Sequence, residues 1–159
     1  MKINKTVFIV SFGTFVFALV GCATPSKLVI LPKPNGVSKS SVFFYREKTW
    51  VEGNVGTELG IDGIKIAILT PKTYLDVDVP SGNHIFYVRG GSSIGLSRTE
   101  VDLKNGEHVC FLLKPRSSNL VKSLIPILYF TGTTFDVVKN ECPDSVTLTD
   151  FQKIDVQYN

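Results

Sequence analysis

The stretch from residue 75 to residue 88, LDVDVPSGNHIFYV, decides the fold that we expect for this chain. From Leu75 to Val79 apolar residues alternate with two aspartates, which is the period of two of a strand with one buried and one wet face. Pro80–Asn83 supplies a cluster of turn-forming residues, and the β-branched and aromatic run Ile85–Val88 follows it. The stretch therefore predicts two β-strands joined by a tight turn.

The same pattern of short strands and turns continues on both sides of this stretch. The further predicted strands are Val42–Tyr45, Leu59–Ile61, Ile64–Ile68, Ser97–Leu103, Val109–Leu113, Thr134–Val138 and Ser145–Leu148, with Asp62-Gly63 and Asn105-Gly106 as hairpin turns. Ile64, Ile66 and Ile68 alternate with other residues, so we expect all three on one half-buried face. The domain shows no long helical pattern. Strands at this spacing predict an all-β fold, a small antiparallel β-sandwich.

The N-terminus has the features of a bacterial export signal. Lys2 and Lys5 form a short positive region, and residues 7–20 carry no charge. That apolar stretch is shorter than the roughly 20 residues that a membrane-spanning helix needs, and it matches the apolar core of a signal peptide. We expect residues 1–21 to be a signal peptide that is removed, with an uncleaved membrane helix as the alternative.

The four residues Leu19-Val20-Gly21-Cys22 resemble the lipobox of bacterial lipoproteins, in which the cysteine is lipidated. A thiol can carry a diacylglyceryl group as a thioether, and two or more acyl chains hold a protein stably on a membrane. Cys22 is therefore the predicted lipidation site. Ala23 stands where an aspartate would resemble an inner-membrane retention signal. We accordingly expect an anchor in the outer membrane, facing the periplasm.

The chain beyond the leader divides into a tether and one domain. Residues 22–40 hold several prolines among serines and lysines, so we expect a semi-extended spacer in which Leu28–Leu31 could form a short edge strand. Residues 41–159 are the predicted β-sandwich domain. Two of the 17 basic residues lie in the leader, which leaves 15 against 14 acidic residues and a net charge of +1. A nearly neutral domain without a basic stripe argues against a nucleic-acid partner.

Three tracts carry a resemblance to a known family: Ser41–Arg46, Ile61–Lys65 and Pro71–His84. They are similar to the VYFYR segment, the DG hairpin and the YxxxxVPPGxH turn of small bacterial lipoproteins named only as domain of unknown function 2846. The similarity departs at Ser81, where that family usually has a second proline. The resemblance implies a small β-sandwich behind a lipoprotein leader. It carries over no activity, because a fold does not define a function.

Cys110 and Cys142 are the two thiols that remain once Cys22 is lipidated. An even pair in an oxidising compartment favours a disulfide between them. The alternative is a buried strand residue at position 110 and a free thiol at position 142. The chain has no C-x-x-C motif, so a redox enzyme is not expected.

The residues that could carry catalysis do not form a recognisable set. His84 matches the turn motif of the family that the chain resembles, and this resemblance implies that it hydrogen-bonds the turn. His108 begins a strand far away in the sequence. Neither histidine has cysteines or carboxylates at a spacing typical of metal ligands. Asp76 and Asp78 lie about 7 Å apart on one strand face, where we expect them to be solvated. We therefore expect no enzyme activity, no cofactor and no metal.

One apolar run stands apart from the strand pattern. It is Leu120–Phe130, and its candidate partner-contacting residues are Leu120, Leu124, Ile125, Ile127 and Tyr129. The run either docks a partner or the lipid surface, or it covers an open face of the sandwich, which is the interpretation that we favour. The Gly90–Gly95 loop is a second candidate surface.

These features lead to the hypothesis of a membrane-anchored envelope lipoprotein whose domain is a non-catalytic binding or interaction module. Its partner would be another envelope protein, and no motif indicates a small-molecule substrate. The alternative is a structural or envelope-stress protein without a dedicated ligand. The two hypotheses differ in whether a contiguous apolar patch remains exposed on the folded domain.

Overall fold

The computed structural model describes residues 38–49, 55–90, 95–118 and 134–156, which form nine strands and one short 3-10 helix. The strands are β1 Lys39–Arg46, β2 Thr57–Ile61, β3 Ile64–Leu69, β4 Thr73–Pro80, β5 Gly82–Gly90, β6 Ser97–Leu103, β7 His108–Pro115, β8 Phe135–Asn140 and β9 Gln152–Lys153. No helix within these ranges is long and apolar enough to cross a bilayer. The predictions for the leader, Cys22, residues 22–37 of the tether, loop residues 91–94 and Leu120–Phe130 fall outside the described residues. Strand β1 begins at Lys39, inside the predicted tether of residues 22–40.

The strands form two sheets that enclose one main hydrophobic core, so the predicted all-β sandwich is confirmed. One sheet has the strand order β8-β7-β1-β4-β9 and the other has the order β3-β2-β5-β6. Two of the pairings among the described strands differ from the antiparallel expectation, because β1–β7 and β4–β9 are parallel. Parallel neighbours cannot be joined by a tight hairpin. Between β1 and β7 the chain enters the four-stranded sheet twice, first as β2–β3 and then as β5–β6, with β4 in the five-stranded sheet between them.

The decisive stretch folds as the alternation predicts, and its turn joins the two sheets. Leu75, Val77 and Val79 are buried in β4, and β5 follows in the four-stranded sheet after a turn in which Gly82 has a φ of 130°. The turn at Asn105-Gly106 also forms, but it was predicted to close a hairpin and instead connects β6 to β7 in the opposite sheet. Turn residues mark where the chain reverses and leave open which sheet it enters.

The three alternating isoleucines of β3 do not share one face. Ile66 is fully buried, whereas Ile64 is 42% exposed and Ile68 is only half-buried. The pairing with β2 shifts register, since Leu59 lies opposite Ala67 and the next β2 residue lies opposite Lys65. Ile66 is thus the extra residue of a β-bulge, which breaks the period of two.

The tail contains one of the two short strands that the sequence predicts. Strand β8 confirms the prediction for Thr134–Val138, but Ser145–Leu148 is wrong as a strand because it forms a turn and the start of the 3-10 helix Thr147–Asp150. Asp144 Oδ1 accepts a 2.6 Å hydrogen bond from the Thr147 backbone N–H, which favours the helical turn. Hydrogen bonds from the side chain of Thr147 and from its backbone N–H lower the pKa of Asp144.

Three phenylalanines from both sheets meet at the centre of the core. Phe44 of β1 and Phe111 of β7 stack with ring centroids 5.6 Å apart. Phe86 of β5 comes from the opposite sheet and meets both rings edge-on, with centroids 5.2 Å away in each case. All three are at most 1% exposed. The cluster joins the two sheets because its rings come from both of them. Its edge-to-face contacts stabilise the folded state beyond the effect of the buried area alone.

Candidate functional site

The disulfide between Cys110 and Cys142 is present, as the cysteine count predicts. Cys110 lies in β7 and Cys142 follows β8, with their Cα atoms 5.1 Å apart and 32 positions apart in sequence. Closing a loop of that length stabilises the folded state by about 3–4 kcal/mol on the chain-entropy model. The bridge therefore holds the β7–β8 pair together covalently.

His84 has a structural arrangement of hydrogen bonds that confirms the expectation from its turn motif. Its Nε2 lies 2.8 Å from the carbonyl oxygen of Pro80 and its Nδ1 lies 2.6 Å from Asp62 Oδ2. Asp62 Oδ1 also accepts a 2.8 Å bond from the backbone N–H of Ile85. His84 and Asp62 thus tie the β4–β5 turn to the β2–β3 turn. Both ring nitrogens are engaged, which leaves neither for a substrate proton or a metal ion.

Asp76 and Asp78 each contact a residue of the neighbouring strand β1. Asp76 Oδ1 accepts a 2.8 Å hydrogen bond from Ser41 Oγ, and Asp78 Oδ2 forms a 2.6 Å ion pair with Lys39 Nζ. Asp76 is exposed and Asp78 is half-buried. The expectation of a wet strand face is confirmed, and these partners argue against a carboxylate pair that divides acid and base work.

A groove of about 510 Å³ runs along the outer face of the four-stranded sheet, over β5 and β6. Its lining residues are Asp62, Gly63, Ile85, Tyr87, Arg89, Leu96 and Arg98. Outward-facing β5 residues at positions 85, 87 and 89 form its floor, and Leu96 and Arg98 form one wall. In the sequence, Arg89 and Leu96 flank residues 90–95, the loop that the sequence marks as a candidate surface and whose residues 91–94 lie outside the described ranges.

The floor of this groove depends on Gly60 of β2. Tyr87 lies opposite Gly60 in the sheet, and a Cβ atom at Gly60 would come within 2.1 Å of the Tyr87 ring. The ring therefore lies flat across the glycine, and Tyr87 is only 9% exposed. This burial, with the nearby negative charge of Glu58, raises the pKa of the Tyr87 phenol. The phenol is therefore neutral near pH 7 and presents an uncharged polar floor.

Two arginines lie at one end of the groove, and Glu58 lies opposite one of them, Arg89. Arg89 and Arg98 are exposed, and within the described ranges neither forms an ion pair. Arg98 lies opposite Tyr87, which places Arg89 on the diagonal, about 7–8 Å away. The carboxylate of Asp62 is already engaged by His84 and Ile85. The two guanidinium groups therefore remain available for a carboxylate or phosphate ligand.

Apolar surface lies next to these two cations. Ile85 is 42% exposed and Leu96 is half-buried. The sequence marks the adjoining loop but not this surface, since an exposed arginine on a strand is unremarkable until its lateral neighbours are known. The available signal was that three successive outward positions of β5, Ile85, Tyr87 and Arg89, hold large side chains.

Arg116, which follows the last residue of β7, differs from Arg89 and Arg98 because it forms an ion pair. Its Nε and Nη2 bind both oxygens of Asp136, at distances from 2.6 to 2.9 Å, and Ser97 Oγ bonds Asp136 Oδ1 at 2.7 Å. Together with Ser97 the pair links β6, β8 and the residue that follows β7. The hydrogen bonds from Arg116 lower the pKa of Asp136. This arginine is committed to an internal partner.

We expect this pair to make stability fall at acid pH. Because the pKa of Asp136 is lowered in the folded state, its contribution is fully present above the unfolded value of about 3.9 and is lost as pH falls through the lower folded value. The Asp136 side chain is 39% exposed, so the contribution is at most about 1 kcal/mol. Thermal melts of the wild type and Asp136→Asn between pH 5 and pH 2 should show a shallower decline in the variant. Arg116→Gln should flatten the decline equally, and parallel curves for all three proteins would contradict the assignment.

The described part of the chain is thus an all-β sandwich with one disulfide and an open groove that carries two arginines on its four-stranded sheet. No protein-family model matches the chain, and no curated protein matches it either. The resemblance to the domain of unknown function 2846 stays a prediction.

Proposed function

We propose that this protein is a lipid-anchored binding module of the bacterial cell envelope. Cys22 carries the anchor, residues 22–40 form the spacer, and the sandwich presents the groove over β5 and β6 to another envelope protein. The observation that carries the proposal is the pair Arg89 and Arg98 beside exposed Ile85. Unpaired guanidinium groups beside apolar surface are the composition of a recognition site rather than of a solvated face.

The occupant that this groove favours is an acidic peptide segment. Arginine binds carboxylates through two parallel hydrogen bonds. The sheet positions of Arg89 and Arg98 are about as far apart as residues two positions apart on an extended strand. The apolar rim would contact a residue between two acids. His84 and the two aspartates Asp76 and Asp78 are engaged in structural contacts, which supports a non-catalytic role.

The test is site-specific photocrosslinking in cells that make the full, lipidated chain. A photoreactive residue at Ile85 probes the groove, and one at Val146, which is 79% exposed on another surface, is the control. We expect Ile85 alone to crosslink a defined envelope protein, at a peptide containing Asp or Glu. Crosslinks to phospholipid would overturn the acidic-peptide occupant, and identical diffuse crosslinks at both positions would favour the structural alternative.

Neutralising the two arginines provides the quantitative arm of this test. In Arg89→Gln/Arg98→Gln the affinity for a synthetic copy of the crosslinked peptide should fall about tenfold or more, because two charge-assisted hydrogen bonds are lost. We choose glutamine rather than glutamate as the replacement because residue 89 lies opposite Glu58, and a glutamate at position 89 would repel that carboxylate. Lys48→Gln/Lys153→Gln removes the same charge outside the groove and should change the affinity little. Equal losses in both double variants would contradict recognition at the groove.

A separate measurement tests the anchor. Mass spectrometry of the mature N-terminus should find a lipidated residue at Cys22, and membrane fractionation should find Cys22→Ser displaced from the outer membrane. An unmodified Cys22 in an intact N-terminus would contradict the anchor and leave the groove to be judged by its own crosslinks.

A further inference from the structure

Three metal-ligating side chains that are scattered in the sequence meet on the outer face of the five-stranded sheet. They are His108 and Cys110 of β7 and Cys142 after β8, and their ligand atoms all lie within 4.8 Å of one another. Cys110 is buried while His108 and Cys142 are exposed. The sequence does not reveal this group, because Cys142 reaches His108 only through the β7–β8 pairing.

Hydrogen bonds on the Nδ1 side of the imidazole ring fix the orientation of His108. Its Nδ1 lies 3.1 Å from Ser41 Oγ, and Ser41 Oγ lies 2.8 Å from Asp76 Oδ1. An ionised carboxylate only accepts hydrogen bonds, so the hydroxyl of Ser41 donates to Asp76 and accepts from Nδ1–H of the imidazole. In the neutral ring the lone pair is therefore on Nε2. Carboxylate-linked histidines of this kind are typical of metal sites, where the outer bond fixes the tautomer.

The free nitrogen is directed at the sulfurs. His108 Nε2 lies 3.7 Å from Cys110 Sγ. Two ligands of a tetrahedral zinc ion with ordinary Zn–N and Zn–S bonds are about 3.6 Å apart, so this separation fits a shared ion. The sulfurs themselves are bonded to each other in the disulfide and have no thiolate to offer. A metal ion can therefore enter only after the bridge is opened.

We propose that the dithiol form of this protein binds a thiophilic metal ion, such as Zn²⁺, through Cys110, Cys142 and His108. A dithiol reductant supplies two electrons and two protons, which break the S–S bond and give two thiols while the reductant becomes a disulfide. Metal binding then releases the two thiol protons, and the ion takes two thiolates and Nε2. The fourth tetrahedral position is left to water. Disulfide and metal are thus alternative cross-links of the same two cysteines.

The experiment uses the full-length chain carrying Cys22→Ser, so that Cys110 and Cys142 are its only thiols. The protein is reduced with a phosphine and titrated with Co²⁺, whose thiolate charge-transfer absorption reports the ligands, followed by Zn²⁺ competition. We expect one Co²⁺ per chain in the reduced protein, displacement by Zn²⁺, and no thiolate band in the oxidised protein. Absence of the band in reduced protein would overturn the proposal.

Variants test whether His108 binds the metal ion together with the two cysteines, as the folded structure places them. His108→Ala should weaken Co²⁺ binding at least about tenfold and Ser41→Ala roughly tenfold, since loss of an outer partner typically costs 10–100-fold. His84→Ala removes the other histidine and should leave the affinity unchanged. Equal binding by the wild type and His108→Ala would show sulfur-only capture and reject the site. Circular dichroism checks the fold, because a reduced chain that unfolds must regain its strand signal with metal if the proposal holds.

Discussion

Replacing Arg46 by alanine is expected to lower the free energy of unfolding by about 3–5 kcal/mol. Arg46 ends β1 and its side chain is fully buried. Its Nη1 donates to the carbonyl oxygen of Val55, and to Thr57 Oγ1 and the carbonyl oxygen of Leu69 at 2.9 Å each. These three acceptors belong to or adjoin the opposite sheet, so the guanidinium group joins the two sheets at one end of the sandwich.

The size of the effect follows from what alanine would leave behind. Each buried acceptor that loses its donor costs about 1–3 kcal/mol, and the space of the arginine side chain becomes a cavity. Arg46 also lies over the ring of Phe135, 4.6 Å from its centroid, and that cation–π contact is lost as well. Lysine at this position keeps the charge but cannot reproduce the planar fork.

Denaturant unfolding followed by circular dichroism measures this loss. Arg116→Ala is the matched control, since Arg116 is exposed and its ion pair contributes no more than about 1 kcal/mol. A loss below about 1 kcal/mol for Arg46→Ala would contradict a role in joining the sheets.

Phe86→Ala should lower the free energy of unfolding by about 3–5 kcal/mol, because it empties the centre of the aromatic cluster. Phe86 is the member of that cluster that reaches across from the four-stranded sheet to Phe44 and Phe111. Removing its ring opens a cavity between the sheets and ends two edge-to-face contacts.

The neighbouring residue gives a stringent control for this prediction. Ile85 precedes Phe86 in β5 but faces the outer groove, where it is 42% exposed. Ile85→Ala should cost less than about 1 kcal/mol, so two adjacent truncations differ severalfold. Similar losses at both positions would mean that the register of β5 is wrong, because a slip of one residue exchanges the two faces.

Local patterns predict the faces of strands well and their neighbours poorly. The alternation from Leu75 to Val79 correctly predicts which side of β4 is buried. The same reasoning fails at Ile64 and Ile68, because the bulge residue Ile66 has no partner in β2 and interrupts the alternation of buried and exposed residues. It also cannot tell that β7 lies beside β1, because sheet neighbours are decided by contacts between strands distant in the chain.

The candidate sites show the same difference between local contacts, which the sequence predicts, and contacts between distant parts of the chain, which it does not. The structural role of His84 can be predicted because its partner Pro80 belongs to the same turn. The group around His108 cannot, since Ser41, Asp76 and Cys142 come from three other parts of the chain. The burial of Arg46 is also not predicted. The sequence shows this arginine only at the end of an aromatic run, and charged side chains are rarely buried.

The bridge between Cys110 and Cys142 has a consequence for how the chain responds to cutting. Any peptide bond between these two cysteines, including those of Leu120–Phe130, lies inside a covalent ring. A protease that cleaves there releases no fragment, and the nicked molecule keeps its mass apart from one added water. The two pieces separate on a gel only after reduction, so a single cut in this segment leaves the protein in one covalently linked piece until a reductant reaches the bridge.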